Sequence, residues 1–439
     1  MKNLFCCLVF LIIVQPAYAA DEPTERLAIY QYALYLLPDA EGDPRETLND
    51  LVTEQFSDFM IVDDIDGPPT EPMLIPTLIS DVGNTYTPPD LQFIGYFGHG
   101  LTREQALAVQ DSERALVIDI GYPARLTETA FPQVMALMAA VAVKHDGLIW
   151  DEASREIFTP QAWREERMET WNDGVPDAQD HIAIHAYKDG EYVRAITLGM
   201  EKFGLPDFVV NDFPWSSERG MATLINLVTQ TLIEGGDFND DFSLDIDIEA
   251  IKHAEVRDGF LRSLLDNAEP RINLKFRPEE PEQGDPDNFI LAIQFDVAEG
   301  DTLQEKQEVL LDTLFGSEDS VTYVKHDAEI LAARDAARAK LPQLRNDFNN
   351  GFAPGEFIFV KAPFKTTDGG NEWMWVEVIE WKGDRIRGLL QNDPFHVPEL
   401  RAGAEVVVEM GDVFDYILQR ADGTSEGNET GRIMRKYEE

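Results

Sequence analysis

Cysteine is almost absent from this sequence. The chain has 439 residues and two cysteines, Cys6 and Cys7, which lie inside an apolar run from Leu4 to Val14. Both would be lost with a cleaved N-terminal segment. The remaining chain would then have no thiol nucleophile, no cysteine-based zinc site and no disulfide exchange activity. A chain of this length can bury enough apolar surface to fold without disulfides.

The N-terminal segment has the features of an export signal. Met1-Lys2-Asn3 precedes the apolar run, and Gln15-Pro16 and the small-residue triplet Ala17-Tyr18-Ala19 follow it. Signal peptidase reads this order of basic start, apolar core, helix breaker and A-x-A site. The apolar run is also shorter than the roughly 20 residues that cross a bilayer. We therefore predict a signal peptide at residues 1–19, no membrane insertion after its removal, and a periplasmic or secreted mature protein.

Basic residues are also scarce. Lysine and arginine number 36 against 82 aspartates and glutamates, and the formal net charge is -46. Such a surface repels phosphate backbones and anionic lipid, so we expect no nucleic-acid partner and no docking on membranes. Solubility or adaptation to salt explains the charge most simply, and a cationic partner or a divalent-cation role is the alternative.

Complete catalytic motifs are missing as well. The sequence has no G-x-G-x-x-G, no G-K-[ST] and no H-E-x-x-H, and Ser216 and Ser217 lie in no nucleophile elbow. His181 and His185 are four residues apart in a strand-like pattern, but no third zinc ligand accompanies them, so we interpret them as a structural surface pair. We therefore expect no cofactor and favour a protein without enzymatic activity.

The apolar pattern predicts an α+β or α/β protein. Over residues 20–240, strand-like runs alternate with helix-like runs, which is typical of an α/β layered domain. Residues 241–324 are interpreted as a smaller α+β connecting unit that ends in a strand at Val321–Val324. Within the first region, the proline-rich stretch Pro68–Pro89 is interpreted as a long loop and Gln92–Phe97 as a strand.

Residues 325–439 have a different pattern. One alanine-rich helix, Ala328–Leu341, precedes short strands that are separated by Gly, Asn, Asp and Pro turns. This pattern predicts a compact, mostly antiparallel β module preceded by one helix. The predicted strands are Phe357–Val360, Trp373–Trp381, Arg385–Leu390, Glu405–Met410 and Phe414–Leu418.

Tryptophans and carboxylates are concentrated in this module. In a strand, Trp373 and Trp375 share one face while Met374, Val376 and Val378 share the other, so one or two indoles can line an open surface. Exposed tryptophans beside carboxylates suit a cation, a sugar or a peptide, and core packing is the alternative. The ligand-binding candidates are Glu372, Trp373, Trp375, Asn392, Pro394 and Asp415.

An acidic segment gives a weak candidate for a metal site. Asp237, Asn239 and Asp241 are spaced like the start of an EF-hand loop. The sixth position has no glycine, and Ile248 occupies the twelfth position, where a bidentate glutamate belongs. At most, these residues would form a calcium site of millimolar affinity.

A series of short motifs runs through the C-terminal module. They are Ala332-Ala333-Arg334-Asp335-Ala336-Ala337-Arg338, Phe359-Val360-Lys361, Glu372-Trp373-Met374-Trp375-Val376, Gly388, Asn392-Asp393-Pro394, Gly403 and Asp415-Tyr416. Together they resemble the uncharacterised family called domain of unknown function 2314, from about Val324 to Lys436. The family usually has histidine at the position of Trp373, so a role that needs an imidazole there is not implied.

The run from Thr197 to Asp207 (TLGMEKFGLPD) resembles the closing signature of a second uncharacterised family, domain of unknown function 4261. The pattern before it would extend this resemblance from Leu27 to Asp240. Neither family implies a known reaction, so the resemblances support domain boundaries rather than chemistry.

These observations lead to three functional hypotheses. The first is a non-enzymatic binding or scaffolding protein of the cell envelope, with a protein or peptide as its partner. The second is a carboxylate-dependent hydrolase, which needs two carboxylates in one pocket and at least one of them partly desolvated. The third is a weak divalent-cation-binding protein.

Overall fold

The computed structural model describes most of the chain after the predicted signal peptide. The described residues are 26–38, 40–64, 67–189, 192–265, 267–316, 328–366, 370–392, 394, 396–397 and 400–435. The predicted signal peptide and the predicted strand Val321–Val324 lie outside them. The chain forms two compact units: Met1–Ile94, Glu104–Asp212 and Gly220–Ser317 make the first, and Gly95–Arg103, Phe213–Arg219 and Glu318–Glu439 make the second.

Strands and helices are interspersed along the described chain. The strands are β1 (Leu27–Leu36), β2 (Met60–Ile61), β3 (Met73–Ile79), β4 (Gly98–His99), β5 (Arg114–Pro123), β6 (Gly147–Asp151), β7 (Glu156–Phe158), β8 (Ala183–Asp189), β9 (Tyr192–Leu198), β10 (Asp207–Phe213), β11 (Ser243–Asp247), β12 (Arg271–Glu279), β13 (Ile290–Gln294), β14 (Phe357–Lys365), β15 (Asn371–Lys382), β16 (Arg385–Leu390), β17 (Glu405–Glu409), β18 (Asp415–Gln419) and β19 (Ser425–Gly427). The helices are α1 (Pro44–Glu54), α2 (Val82–Thr85), α3 (Leu91–Phe97), α4 (Arg103–Ala108), α5 (Thr127–His145), α6 (Pro160–Ala162), α7 (Glu218–Ile233), α8 (Ala254–Ser263), α9 (Leu303–Phe315), α10 (Ala328–Asn350) and α11 (Glu429–Arg435).

The first unit contains two sheets, and strand β1 is central to the first of them. The strands of this unit lie in the order β2, β3, β5, β1, β6, β7, and β1 pairs antiparallel with β5 along its whole length. One face of β1 buries Tyr30, Tyr32 and Leu34. Helix α5 packs on this face, where Phe131 lies edge-on to Tyr30 with 6.1 Å between ring centroids. The helix is apolar enough to resemble a membrane span, but Phe131, Val134 and Met138 are buried in the core of the unit.

The second sheet of the first unit has the order β11, β12, β13, β10, β9, β8. Strand β13 pairs antiparallel with β12 and parallel with β10. Helices α7 and α9 each bury a row of apolar side chains. The strands before residue 240 and those after it therefore share one sheet.

The second unit contains an antiparallel sheet with the order β17, β16, β15, β14, β18, β19. Helix α10 contributes Leu341 and Leu344 to a core that includes Val360, Val376 and Ile386 from the sheet. A module of one helix followed by antiparallel strands is what the sequence predicts. With the mixed sheets of the first unit, it confirms the α+β class.

Two predicted elements have a different secondary structure in the molecule, and one predicted helix is longer than expected. The predicted strand Gln92–Phe97 is helix α3, because Asp90 accepts a hydrogen bond at 2.8 Å from the Phe93 amide and caps the first turn. The proline-rich stretch contains strand β3, where Pro76 occupies a strand position. Helix α10 continues beyond Leu341, through Pro342, because residues on both sides of the proline pack on the sheet.

Candidate functional site

Strand β15 separates the tryptophans as the alternation predicts. Met374, Val376 and Val378 are buried in the core of the module, whereas Trp373 and Trp375 are half-buried on the opposite face. A third tryptophan, Trp381, is 2% exposed and belongs to the core. The structure therefore brings two of the module's tryptophans to the face that we predicted for ligand binding.

Two of the predicted site residues have packing roles. Trp373 lies 4.4 Å from Phe414 between ring centroids and joins a small cluster with Ile330 and Ile433. Asp415 is 1% exposed, and its Oδ2 accepts hydrogen bonds from the amide (2.8 Å) and hydroxyl (2.5 Å) of Thr430 in helix α11. Asp415 therefore fastens the first turn of this helix to the sheet.

Two more of the predicted residues hold the loop after strand β16. The Asn392 side chain accepts a 2.7 Å hydrogen bond from the Trp375 amide, and Glu372 accepts a 2.9 Å bond from the His396 amide. Pro394 is half-buried in the same loop. These contacts place the predicted residues at one end of the module, and their assignment as ligand-binding groups stays a prediction.

The part of this face that combines charge with an aromatic ring is centred on Trp375. The Lys361 ammonium lies 5.6 Å from the centroid of the Trp375 ring, which is a cation–π contact. Strand pairing places Asp415 on the other side of Lys361, and the Gln391 backbone amide donates a 2.8 Å hydrogen bond to the Trp375 carbonyl. Burial lowers the pKa of Lys361, and the charge of Asp415 opposes that shift.

Glu377 lies on the same face as Trp375, two residues further along strand β15. Its carboxylate accepts a 3.3 Å hydrogen bond from the Gln391 amide, and burial raises its pKa. An ammonium, an indole, an amide and a carboxylate therefore lie on adjacent positions of one sheet face. This combination offers a hydrogen-bonding and stacking surface to a peptide or a sugar.

The weak metal candidates make local hydrogen bonds, and their role as cation ligands stays a prediction. Asn239 donates a 3.0 Å hydrogen bond to the Ser243 hydroxyl, and Asp241 accepts one at 2.7 Å from the same hydroxyl. Asp237 accepts a hydrogen bond from the next amide in the chain. Among the described residues, no group of three or more His, Cys, Asp and Glu side chains is placed to hold a metal ion.

A fully buried ion cluster in the first unit was not predicted. Asp151, Lys202 and Arg167 are each at most 1% exposed, and both cations contact Asp151 Oδ2, at 2.5 Å for Lys202 and 3.1 Å for Arg167. Arg167 also pairs with Glu156 at 2.5 Å. Asp151 and the partly exposed Glu156 therefore supply the carboxylates that pair with the two buried cations.

The 197–207 run supplies the lysine of this cluster. Gly199 and Gly204 both have positive φ, 108° and 65°, and the short helical turn between them directs Lys202 into the core. At Gly199 a side chain would also approach Lys202 Cε to 3.1 Å. Asp207, at the end of the run, is buried and accepts a 2.7 Å hydrogen bond from the Thr197 hydroxyl. Gly199 and Gly204 are the sequence feature that could have indicated this constrained turn.

The histidine pair also differs from the prediction. His181 is fully buried before strand β8 rather than on the surface, and its Nε2 accepts a 3.2 Å hydrogen bond from Trp171. His185 is half-buried, and burial, assisted by the charge of Arg155, lowers its pKa to about 4. His185 lines a cavity of about 190 Å³ in the first unit. The other lining residues are Arg155, Tyr187, Ile196, Leu198, Gln283, Gly284 and Asp285.

The opposite face of the first sheet has a chain of polar contacts. Gln31 Nε2 lies 2.6 Å from Asp119 Oδ1, and Gln31 Oε1 lies 2.9 Å from the Tyr86 hydroxyl. That hydroxyl is also 2.9 Å from Glu152 Oε2, which accepts a 2.6 Å hydrogen bond from the Trp150 indole. Asp119 and Glu152 are both half-buried. This face therefore joins two carboxyl groups through one amide and one phenol.

The fold and the site define the class of the second unit: a helix-and-antiparallel-sheet module with a tryptophan-bearing outer face. Residues 327–437 match the family called domain of unknown function 2314, which is described as an uncharacterised protein conserved in bacteria. This match confirms the resemblance of the C-terminal module. Comparisons with curated proteins and with solved structures gave no match.

Proposed function

We propose that this is an exported, non-enzymatic binding protein of the cell envelope, and that its C-terminal module binds a peptide or a sugar. The single observation that carries the binding proposal is the Trp375 indole, half-buried beside the Lys361 ammonium and next to Gln391 and Glu377. Aromatic side chains with polar neighbours dominate the energetics of recognition surfaces.

The sequence supports two more specific proposals, one on export and one on the family of the N-terminal region. Cleavage after Ala19 would place the acidic mature chain outside the cytoplasm, as a periplasmic or secreted protein. The region Leu27–Asp240 is proposed to be a member of the family called domain of unknown function 4261. The glycine-flanked turn in its signature supports this proposal, because it positions a lysine that the core requires.

Replacing Trp375 by alanine is expected to weaken ligand binding by about tenfold or more, because truncating an aromatic anchor at an interface commonly costs more than about 1.4 kcal/mol. The experiment screens the mature chain on one array of peptides and one of oligosaccharides, then measures the affinity of each hit by calorimetry. The thermal midpoint should change little, since Trp375 lies outside the core cluster.

Val407→Ala is the matched control, because Val407 is 49% exposed on the edge strand β17 and is not one of the residues around Trp375. It should bind like the wild type. Equal affinities for wild type and Trp375→Ala on every hit would refute the proposed surface. Trp373 is less suitable than Trp375 for this test of binding, because its replacement would also remove the ring contact with Phe414.

Export can be tested separately from binding. We expect the mature protein recovered from bacterial cells to begin at Ala20, as read by mass spectrometry of its N-terminal peptide, and to fractionate outside the cytoplasm. Replacing Ala19 by arginine should leave the full-length precursor, because the cleavage site needs a small residue there. A wild-type protein that keeps Met1 in the cytoplasm would contradict export.

A second candidate function is a carboxylate-dependent hydrolase. The observation that favours it is the pair Asp119 and Glu152, which are half-buried on one sheet face and joined through Gln31 and Tyr86. Burial raises the pKa of Asp119, as a general acid requires. Hydrolysis of chromogenic glycosides or esters that Asp119→Asn and Glu152→Gln both abolish would favour this function over simple binding.

A further inference from the structure

The cavity beside His185 is built on one face of the second sheet of the first unit. Strand β8 contributes His185 and Tyr187, and strand β9 contributes Ile196 and Leu198. Strand pairing places His185 opposite Ile196. Because alternate residues of a strand share a face, these four side chains lie on the same side of the sheet. Ile196 and Leu198 are at most 2% exposed, so the floor of the cavity is apolar.

The loop of residues 282–285 forms another wall of the cavity, and Arg194 holds this loop in place. Arg194 donates two parallel 2.8 Å hydrogen bonds to the Asp285 carboxylate, and both side chains are at most 2% exposed. Arg194 also donates a 2.7 Å hydrogen bond to the Tyr187 hydroxyl, which lies 3.4 Å from Glu282. The charge of Arg194 is therefore matched by the carboxylates of the wall loop.

Arg155 brings a second positive charge to the cavity. It lies in the turn between β6 and β7 and has a positive φ of 57°. Its Nη1 donates a 2.8 Å hydrogen bond to the Gly284 carbonyl, which is a neutral acceptor. A guanidinium has five N–H donors in a planar fork, and this fork matches the geometry of a carboxylate. Arg155 can therefore hold the wall loop and a bound carboxylate at the same time.

His185 adds a polar ring to the cavity without adding a charge. Burial, assisted by the charge of Arg155, lowers the pKa of His185 to about 4, so its imidazole is neutral at pH 7. The charge of Glu156 opposes this shift, and the Glu156 carboxylate pairs with Arg167 at 2.5 Å. A positively charged ligand would meet the guanidinium of Arg155, whereas a negatively charged one would pair with it.

The size of the cavity limits its ligand to a small molecule. Its volume is about 190 Å³. An apolar cavity of about 150 Å³ is large enough to hold benzene. The formal net charge of -46 and the acidic wall loop both disfavour a ligand with several negative charges. A single carboxylate on a compact apolar body fits these conditions.

We propose that this cavity binds a small monocarboxylate with an apolar body, whose carboxylate pairs with Arg155 and whose apolar part covers Ile196 and Leu198. The site lies within the first unit. It is a second binding site, separate from the Trp375 surface of the C-terminal module, so each proposal can fail without the other.

The experiment titrates the mature chain at pH 7 with benzoate and with two molecules of similar shape, neutral benzamide and positively charged benzylamine. The methyl resonances of Ile196 and Leu198 report both the affinity and the place of binding. We expect benzoate to bind about tenfold more tightly than benzamide, because a hydrogen bond between charged groups is stronger than one to a neutral amide. Benzylamine should leave these resonances unchanged.

Three variants complete the test. Arg155→Gln should bind benzoate no better than benzamide, while its unchanged affinity for benzamide would show that the cavity is intact. Arg262→Gln removes the same charge from an exposed position of helix α8 and should keep the wild-type preference. Trp375→Ala should also keep it, because Trp375 belongs to the other site.

Three outcomes would overturn the proposal. The first is equal binding of benzoate and benzamide by the wild type, or no binding of benzoate at millimolar concentration. The second is a preference for benzoate that survives in Arg155→Gln. The third is binding of benzoate that leaves the methyl resonances of Ile196 and Leu198 unchanged.

Discussion

Asp151→Asn is expected to lower the free energy of unfolding by about 3–5 kcal/mol, the cost of breaking a buried ion pair by removing one partner. Asp151 Oδ2 contacts both Lys202 and Arg167, and all three side chains are at most 1% exposed. Asparagine would remove the one carboxylate that both buried cations contact, and Arg167 would keep its ion pair with Glu156. Chemical denaturation at pH 7 measures this loss.

The same variant has a distinctive pH dependence. Burial lowers the pKa of Lys202, and the charge of Asp151 opposes that shift in the wild type. Without Asp151, the folded state should favour a neutral lysine even more. The destabilisation should therefore shrink as the pH rises from 7 towards 10, since neutral lysine costs less to bury.

Asp296→Asn is the control for the buried cluster. Asp296 pairs with Lys306 at 2.6 Å, but the Asp296 side chain is 79% exposed. Its loss should change the stability little, because solvent screens an exposed ion pair. If Asp151→Asn were no more destabilising than Asp296→Asn, the buried cluster would not hold the core together.

Gly388→Ala should be similarly damaging in the second unit, with a loss of about 3 kcal/mol or more from overpacking. Gly388 lies opposite an irregularity in strand β15, where the register shifts between Val378 and Glu380. A Cβ at this position would overlap the carbonyl oxygen of Glu377 and come within 2.5 Å of Val376 Cγ1. Neither a paired backbone carbonyl nor a core valine can give way cheaply.

Gly411→Ala provides the comparison, because a Cβ there meets nothing within 4 Å. Thermal unfolding followed by near-ultraviolet circular dichroism includes a contribution from Trp381, a core residue of the second unit. The midpoint of Gly411→Ala should stay close to that of the wild type, while that of Gly388→Ala should fall. Equal midpoints would mean that strand β16 shifts to accommodate the methyl group.

Short-range patterns predicted much of this molecule. The alternation of Trp373 to Val378 identified the strand and assigned its two faces, because period-two alternation is a property of consecutive residues. Helix α9 also depends on a local signal, because Thr302 and Glu305 form its capping box. Such elements depend on neighbours only a few positions away.

The polar sites could not be predicted in this way. Asp151 and Lys202 are 51 positions apart, and Gln31 and Asp119 are 88 apart. Their pairing depends on which strands become neighbours, and no motif encodes that. The roles of Asp415 and Trp373 could not be decided from the sequence either, because the same residue types can bind a ligand or stabilise a fold. In the structure, Asp415 fastens a helix and Trp373 fills a small core.

The position of strand β13 has a consequence for when the first unit can fold during synthesis. This strand joins β12 to β10, yet it ends at Gln294, near the end of that unit's sequence. Most of the first unit has therefore been synthesised before all the strands of its second sheet can pair. Until then, strands β8 to β10 and the paired strands β11 and β12 lack the strand that connects them. A protease or chaperone that met the growing chain before Gln294 was made would find this sheet incomplete.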